Sequence, residues 1–229
     1  MAHVIARPTE RNLERALGIL AKGSLVAFPT ETVYGLGGNA YSEAVVAKIF
    51  QYKNRQEFNP LSICYANLEA AAADVEISAR AQEVAKIFLP GPITIILKRK
   101  VHARLSRLCS SGLDTVGIRV PFHDTLRYLL ERLPFPLTAT SANRSTEPSS
   151  TTAQAVSHSL RNNDELFILD GGRSPLGVES TILDLTSEKA RILRIGAVDL
   201  DEISAKCNFQ LYLDNGASRS TIALRNKVR

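Results

Sequence analysis

Polar and charged residues gather in five short runs of this sequence: Thr30-Glu31-Thr32, Lys53-Asn54-Arg55, Thr115 with Arg119, Thr140-Ser141-Ala142-Asn143, and Glu179-Ser180-Thr181. Each stands at the end of a short apolar segment or helix, and loops on a rigid scaffold are where binding groups usually sit. Fixed guanidinium forks such as Arg55 and Arg119 suit carboxylate and phosphate oxygens in a way that flexible lysine does not. Every run also has an ordinary structural reading. Thr30 and Thr32 could satisfy loop amides, Lys53 and Arg55 could be helix C-terminal cations, and Ser141 and Asn143 could be turn residues.

The elements that would hold these runs follow from periodicity. Residues 9–22 place Leu13, Ala16, Leu17, Leu20 and Ala21 on one face, with Thr9 able to cap the start and Gly23 just past the end, so a helix is predicted there. Ser24 to Phe28 reads as a buried strand, and Pro29 to Gly38 as a polar, glycine-rich loop. Ser42 could cap the next helix, whose apolar face is Val46, Ile49 and Phe50. Lys53 continues that face and reaches whatever lies beyond the helix end, outside the core. Strands are predicted at 61–65, 92–98, 115–120, Leu137–Thr140, Leu166–Leu169, Ser180–Leu185 and Arg191–Ile195, with helices ending at Pro90-Gly91 and spanning Asp124–Leu133. Interleaved strands and helices make the class α/β, or closely mixed α+β. Regular alternation is lost after Ile195, which reads as an arm. Residues 1–200 are therefore expected to form a single domain and 201–229 a C-terminal extension with a basic tail.

Composition narrows the function classes. The 229 residues are 45% hydrophobic and 22% charged, enough for one good-sized globular domain. Apolar stretches are strand-sized, and no secretory signal pattern opens the chain, so the expected compartment is the cytoplasm. Cys64, Cys109 and Cys207 are odd in number and far apart, which suits reduced, buried thiols, and the four histidines show no ligand spacing, so no metal site is expected. The net charge is +5, but Arg219, Arg225, Lys227 and Arg229 stand together near the end, and the body without them carries only +1. A second acid-free cluster, Lys98, Arg99, Lys100, Arg104 and Arg107, reads as a solvated charge run or as a weak RNA contact.

Common enzyme signatures such as GxxxxGK[ST] and GxSxG are missing from the sequence. Gly35 to Ala40 nominally fits GxGxxA, but residues 29–34 separate it from the preceding strand and no suitably placed ribose acid follows. Those glycines read instead as permitting a tight turn or a close approach to a ligand.

Residues 28–39, FPTETVYGLGGN, are similar to the YrdC-type family of L-threonylcarbamoyl-AMP synthases. The resemblance continues through KIFQYKNR at 48–55, NPLSI at 59–63, PGPIT at 90–94, GLDTVGIRVP at 112–121, TSANRS at 140–145, PSSTTA at 148–153, DGG at 170–172, GVESTILD at 177–184 and LRIGA at 193–197. It implies a twisted, mixed β-sheet flanked by helices around a deep, positively charged cavity. It also implies a reaction that joins L-threonine, bicarbonate and ATP into threonylcarbamoyl-AMP and pyrophosphate, with magnesium expected alongside ATP and no permanently bound cofactor. The product would feed N6-threonylcarbamoyladenosine modification of tRNA, through downstream transfer proteins and with a weak tRNA contact of its own.

Residue by residue, the resemblance assigns Lys53, Arg55, Ser141 and Asn143 to catalysis and the ATP site, with Thr115, Ser149 and Arg194 as further ATP contacts. Thr30, Thr32, Arg119, Ala139 and Ser180 match positions that hold L-threonine. Three departures stand out. Gln56 replaces a common proline, Cys64 stands where a histidine is often found, and Thr146 replaces the usual glycine. Cysteine is too weak a hydrogen-bonding group to replace imidazole, so discrimination against serine rests partly on one methyl, worth about 1 kcal/mol. The shorter, single-domain form of the family is the nearer match. Two other functions compete with this one: a carbamoyl-adenylate-forming relative, disfavoured because acylphosphatase and zinc-finger segments are missing, and an RNA-binding module, disfavoured by only 6% aromatic residues.

Overall fold

The computed structural model describes residues 3–53, 59–145, 147–161 and 165–219. Arg55, Gln56, Thr146 and the basic tail from residue 220 onward, all named above, lie outside the described residues. In chain order the elements are β1 (Val4–Ala6), α1 (Glu10–Ala21), β2 (Val26–Phe28), β3 (Gly35–Asn39), α2 (Glu43–Lys53), β4 (Ser62–Cys64), α3 (Leu68–Ala71), α4 (Ala79–Phe88), β5 (Ile93–Lys98), a 3-10 turn (Arg107–Ser110), β6 (Thr115–Arg119), α5 (Asp124–Arg132), β7 (Leu137–Ser141), α6 (Ala153–Ser159), β8 (Phe167–Leu169), β9 (Thr181–Asp184), β10 (Ala190–Ile195), α7 (Leu200–Lys206) and β11 (Leu211–Arg219). Among the described residues the strands form one 11-stranded sheet in the order β1-β8-β2-β3-β7-β4-β6-β5-β9-β10-β11. Pairing is mixed: β4 runs parallel to β6 and β5 to β9, whereas β7 is antiparallel to both β3 and β4. No helix of the described residues is long and apolar enough to cross a membrane.

Strand alternation sends neighbouring side chains to opposite faces, and each face has its own core. On one face Ala27, Leu36, Ile63, Ile95 and Ile118 pack with Val46, Ile49 and Phe50 of α2 and Val84 of α4. On the other, Val26, Phe28, Leu137 and Cys64 pack with Leu13, Ala16 and Leu20 of α1 and Leu126, Leu129 and Leu130 of α5. Removing one such buried leucine side chain costs about 2–5 kcal/mol.

Several expectations are revised by the structure. Thr9 precedes α1 in extended conformation but makes no side-chain cap, its carbonyl accepting from Asn12 and Leu13 instead. Residues 35–39, expected in a loop, form a central strand. A Cβ on Gly37 would stand 2.2 Å from the Thr138 carbonyl oxygen and 3.0 Å from the Phe28 ring, so the glycine allows close packing within the sheet and makes no turn. Nor does the chain become irregular after Ile195. Asp199 caps α7, whose Ile203 is buried, and β11 pairs parallel to β10, so the sheet continues across residue 200. Asp-Asn-Gly within β11 resembles a turn, but main-chain pairing to β10 overrides that local preference.

The basic cluster at 98–107 is tied to its own chain. Arg99 donates to the Ala103 and Leu105 carbonyls, Lys100 to the Ala72 carbonyl, Arg104 lies 4.4 Å over the Tyr41 ring, and Arg107 pairs with Asp114 at 2.8 Å. These contacts favour the structural reading of the cluster.

Candidate active site

The second face of the sheet is only partly covered by α1 and α5. Where the cover ends, positions in phase with Cys64 and Leu137 line a cavity of about 250 Å³. Strand register brings its floor together: Gly35 lies opposite Ser141, Ser62 opposite Ala139, Cys64 beside Arg119, and Arg194 opposite Ile182. Thr30, Thr32, Glu179 and Ser180 complete the lining from loops at strand ends. Arg119, Glu179 and Arg194 are the charged groups among the described lining residues.

Hydrogen bonding in the 30–33 loop fixes which protons go where. The Thr30 hydroxyl donates to the Val33 carbonyl at 2.7 Å, so the 2.8 Å contact between the two threonine oxygens carries the hydrogen of Thr32. Thr30 Oγ1 also accepts from the amides of Thr32 and Val33. Both readings of Thr30 therefore meet in one atom, which closes its own loop while facing the cavity. Thr32 Oγ1 keeps lone pairs for Arg119, whose Nη2 donates to it at 2.7 Å. That same Nη2 lies 2.8 Å from Glu31 Oε1. Cys64 sits beside this pair. Burial pushes its thiol up to about 12, against a smaller opposing effect of Arg119, so it stays protonated at neutral pH and is no nucleophile.

Lys53 ends α2 with a side chain only 2% exposed, which corrects the expectation that a helix-end cation stands outside the packed interior. Buried lysines need a partner, and Lys53 Nζ donates to the Ser141 carbonyl, with Ser141 Oγ at 3.4 Å. Ser145 Oγ in turn donates to the Lys53 carbonyl, so the loop after β7 is fastened to the end of α2. Asn143 is buried beside this junction. Its amide donates to the Arg144 and Glu147 carbonyls at 2.7 Å, while its buried Oδ1 has no hydrogen-bond partner.

At the opposite wall, Ser180 Oγ is 2.7 Å from Thr94 Oγ1 and accepts from Arg194 Nη2 at 3.1 Å. Arg194 Nε also donates to the Ser180 carbonyl, and Ser149 Oγ donates to Glu179 Oε1 at 2.6 Å. The structure thus brings Thr30, Thr32, Arg119, Ala139, Ser141, Ser180 and Arg194 around one space, with Lys53 bonded at its edge. Asn143 and Ser149 stand one contact behind the lining. Thr115 does not join them: it begins β6, pairs with Lys98, and borders a separate surface recess with Arg107 and Asp114. Sequence reasoning leaves Glu31 and Glu179 unassigned although both lie inside the runs it singles out. Their signal is a carboxylate flanked by hydroxyl residues in an otherwise cationic set.

A larger surface groove of about 830 Å³ between α3, α4 and α5 is lined mainly by residues such as Leu68, Ala85 and Leu89. Its described lining residues include one guanidinium, Arg127, and no hydroxyl side chain, unlike those of the smaller cavity. Chemically, the smaller cavity can hold a small zwitterion or carbamate by its carboxylate while presenting donors to phosphate oxygens.

Comparison with known proteins shows the family. The Sua5_yciO_yrdC family model, described as telomere recombination, matches residues 18–196. The threonylcarbamoyl-AMP synthase of Pyrococcus abyssi is 42% identical over 202 residues, covering 88% of this chain and 58% of that protein. A Methanocaldococcus jannaschii relative is 31% identical over 202 residues, covering 86% of this chain and 93% of the relative. A crystal structure of P. abyssi Sua5 complexed with L-threonine superposes with a TM-score of 0.84 at 39% identity, covering 92% of this chain and 62% of that one. The chain therefore spans little more than half the length of some curated relatives, and nearly all of another.

Proposed function

The chain belongs to the Sua5_yciO_yrdC family, and on that premise we propose that it is an L-threonylcarbamoyladenylate synthase. Threonine's amine nitrogen bonds to the carbon of bicarbonate with loss of water, giving a carbamate. A carbamate oxygen then attacks the α-phosphorus of ATP, the bond from that phosphorus to the bridging oxygen breaks, and pyrophosphate leaves. Negative charge gathers on every participant, so fixed cations and donors can lower the barrier without a protein nucleophile.

The observation that carries this reading is the convergence of Arg119, Arg194, Ser141 and Ser180 on one cavity, with buried Lys53 bonded to Ser141. Arg119 receives the threonine carboxylate, with Thr30, Thr32, Ala139 and Ser180 around the rest of the amino acid. Lys53, Arg55, Ser141, Asn143, Ser149 and Arg194 serve the nucleotide. Thr115 keeps a nucleotide role on resemblance alone. At about 250 Å³ the cavity is below the roughly 300–1,000 Å³ of sites for drug-sized ligands, which suits the amino acid and the reacting phosphate with adenosine lying outside.

Magnesium would arrive on the ATP phosphates, neutralising their charge, and Glu179 is the carboxylate among the described lining residues that could meet it. The product would pass to transfer proteins that modify tRNA, in the cytoplasm. Purified protein with ATP and magnesium tests the proposal when threonine and bicarbonate are omitted in turn. Pyrophosphate release that needs both, with a threonylcarbamoyl adenylate found by mass spectrometry, is expected. Release independent of threonine, or none from folded protein, would overturn it.

A further inference from the structure

Glu31 has no part in the site as assigned above, yet its carboxyl stands directly against Arg119. Its side chain is 6% exposed and that of Arg119 11%, with Glu31 Oε1 2.8 Å from Nη2. An ion pair to Glu31 Oε1 and a hydrogen bond to Thr32 Oγ1, both from one loop, therefore hold a single amino group of the guanidinium. Arg119 Nε is buried with no hydrogen-bond partner, and neither carboxylate oxygen of Glu31 has a partner beyond the ion pair. Buried donors are almost always paired, so the ion pair with Glu31 is what offsets the burial of this guanidinium.

The loop does not need this carboxylate to hold its shape. Its backbone is pinned by Leu176 N to the Glu31 carbonyl at 3.0 Å, by Tyr34 N to the Ser150 carbonyl at 2.8 Å, and by the Thr30 oxygen on two amides. Cys64, the neighbour on the adjoining strand, is a protonated thiol and too weak an acceptor to fix a guanidinium. His123, also near Glu31, has its pKa pulled down by burial, which favours its uncharged form, against a smaller opposing effect of Glu31.

We propose that Glu31 is a positioning residue for the amino-acid substrate: its buried pairing locks the Arg119 guanidinium so that the remaining N–H groups are set in advance to receive a carboxylate. This rests on the reading of Arg119 as the carboxylate receptor. Without Glu31 a long side chain regains its rotamer freedom, and ordering it opposes each binding event.

Calorimetric titration of L-threonine and, separately, ATP into wild type, Glu31→Ala and Glu31→Gln tests the inference, with melting temperatures recorded. Glu31→Ala is expected to weaken threonine about tenfold, as the guanidinium loses its fixed orientation, and to leave ATP affinity within about twofold. Glu31→Gln, which keeps the length of the side chain but not the charge of the ion pair, is expected to weaken threonine as well, though less than Glu31→Ala. Should Glu31→Ala fail to fold, Glu31→Asp carries the test, since a shorter carboxylate withdraws from Arg119 and must weaken threonine as well. Threonine affinity unchanged in Glu31→Ala, or in Glu31→Asp where that variant is used, overturns the inference, as does an equal loss for ATP. Wild type that binds ATP but no threonine overturns the underlying reading of Arg119 itself.

Discussion

Replacing Lys53 by methionine separates the chemistry of this site from its packing. The side chain is almost fully buried, so alanine would open a cavity, whereas methionine keeps an unbranched stem of similar volume. The losses include the charged hydrogen bond to the Ser141 carbonyl, about 1.5–3 kcal/mol, and a cation at the C-terminus of α2, about 0.3–1 kcal/mol. Relief from burying an ammonium, a penalty of several kcal/mol, offsets them. The net change in stability should stay within about 2 kcal/mol, or a shift in melting temperature below about 8 °C for a chain of this size. Turnover should fall far more. A preorganised donor aimed at developing charge is worth about 2.7–4 kcal/mol, so kcat should drop about 10²–10³-fold. Coupled pyrophosphate detection over an ATP titration, alongside a thermal melt, reads both quantities. Folded Lys53→Met with kcat/KM for ATP near the wild-type value would refute the assignment of Lys53 to the reacting phosphate.

Gly37→Ala should cost about 3 kcal/mol or more, because its Cβ would meet the Thr138 oxygen at 2.2 Å; a lowered urea midpoint with unchanged slope checks this. Alkaline pH should destabilise the protein between about 9 and 12. Burial raises Cys64 and Cys109 from 9.0 to about 12, so the unfolded chain releases those protons first and folding weakens as pH climbs; melting temperatures across that window would show a fall. Truncation after residue 219 should preserve activity and melting temperature, whereas truncation after Gln210 removes β11, uncovers the β10 edge and lowers the melting temperature. If the tail binds RNA, the shorter truncation also flattens the salt dependence of that binding, by about 0.7 in log–log slope for each phosphate the tail neutralises.

Elements with a strong period were legible in the sequence. α1, α2 and α5 show their apolar faces as spacing, and their ends fall within a residue or two of expectation. β3 was hidden because its glycines carry no side-chain pattern; main-chain pairing and the covering Phe28 ring make it a strand. α7 and β11 escape a reading of the sequence because a seven-residue helix hardly shows a period and β11 carries turn-forming residues. The cavity was legible as a set of residues but not as a place. Cys64, Arg119 and Arg194 come together only once the order β4-β6-β5-β9-β10 is known, and that order depends on residues far apart along the chain. For the same reason Thr115 and Arg119 look like one run, though a strand of five residues carries them to opposite ends of β6. Glu31 was visible as a charge between two threonines, but its partner on β6 was not.

If this cavity builds a threonylcarbamoyl adenylate, the carbamoyl carbon of the product comes from bicarbonate. Turnover with ATP, L-threonine and ¹³C-labelled bicarbonate, followed by mass spectrometry of the nucleotide product, traces that carbon. The expected product is a threonylcarbamoyl adenylate heavier by the one neutron of the label, formed in step with pyrophosphate. An adenylate at unshifted mass, or pyrophosphate released with no carbamoyl-bearing nucleotide, would contradict the proposed reaction.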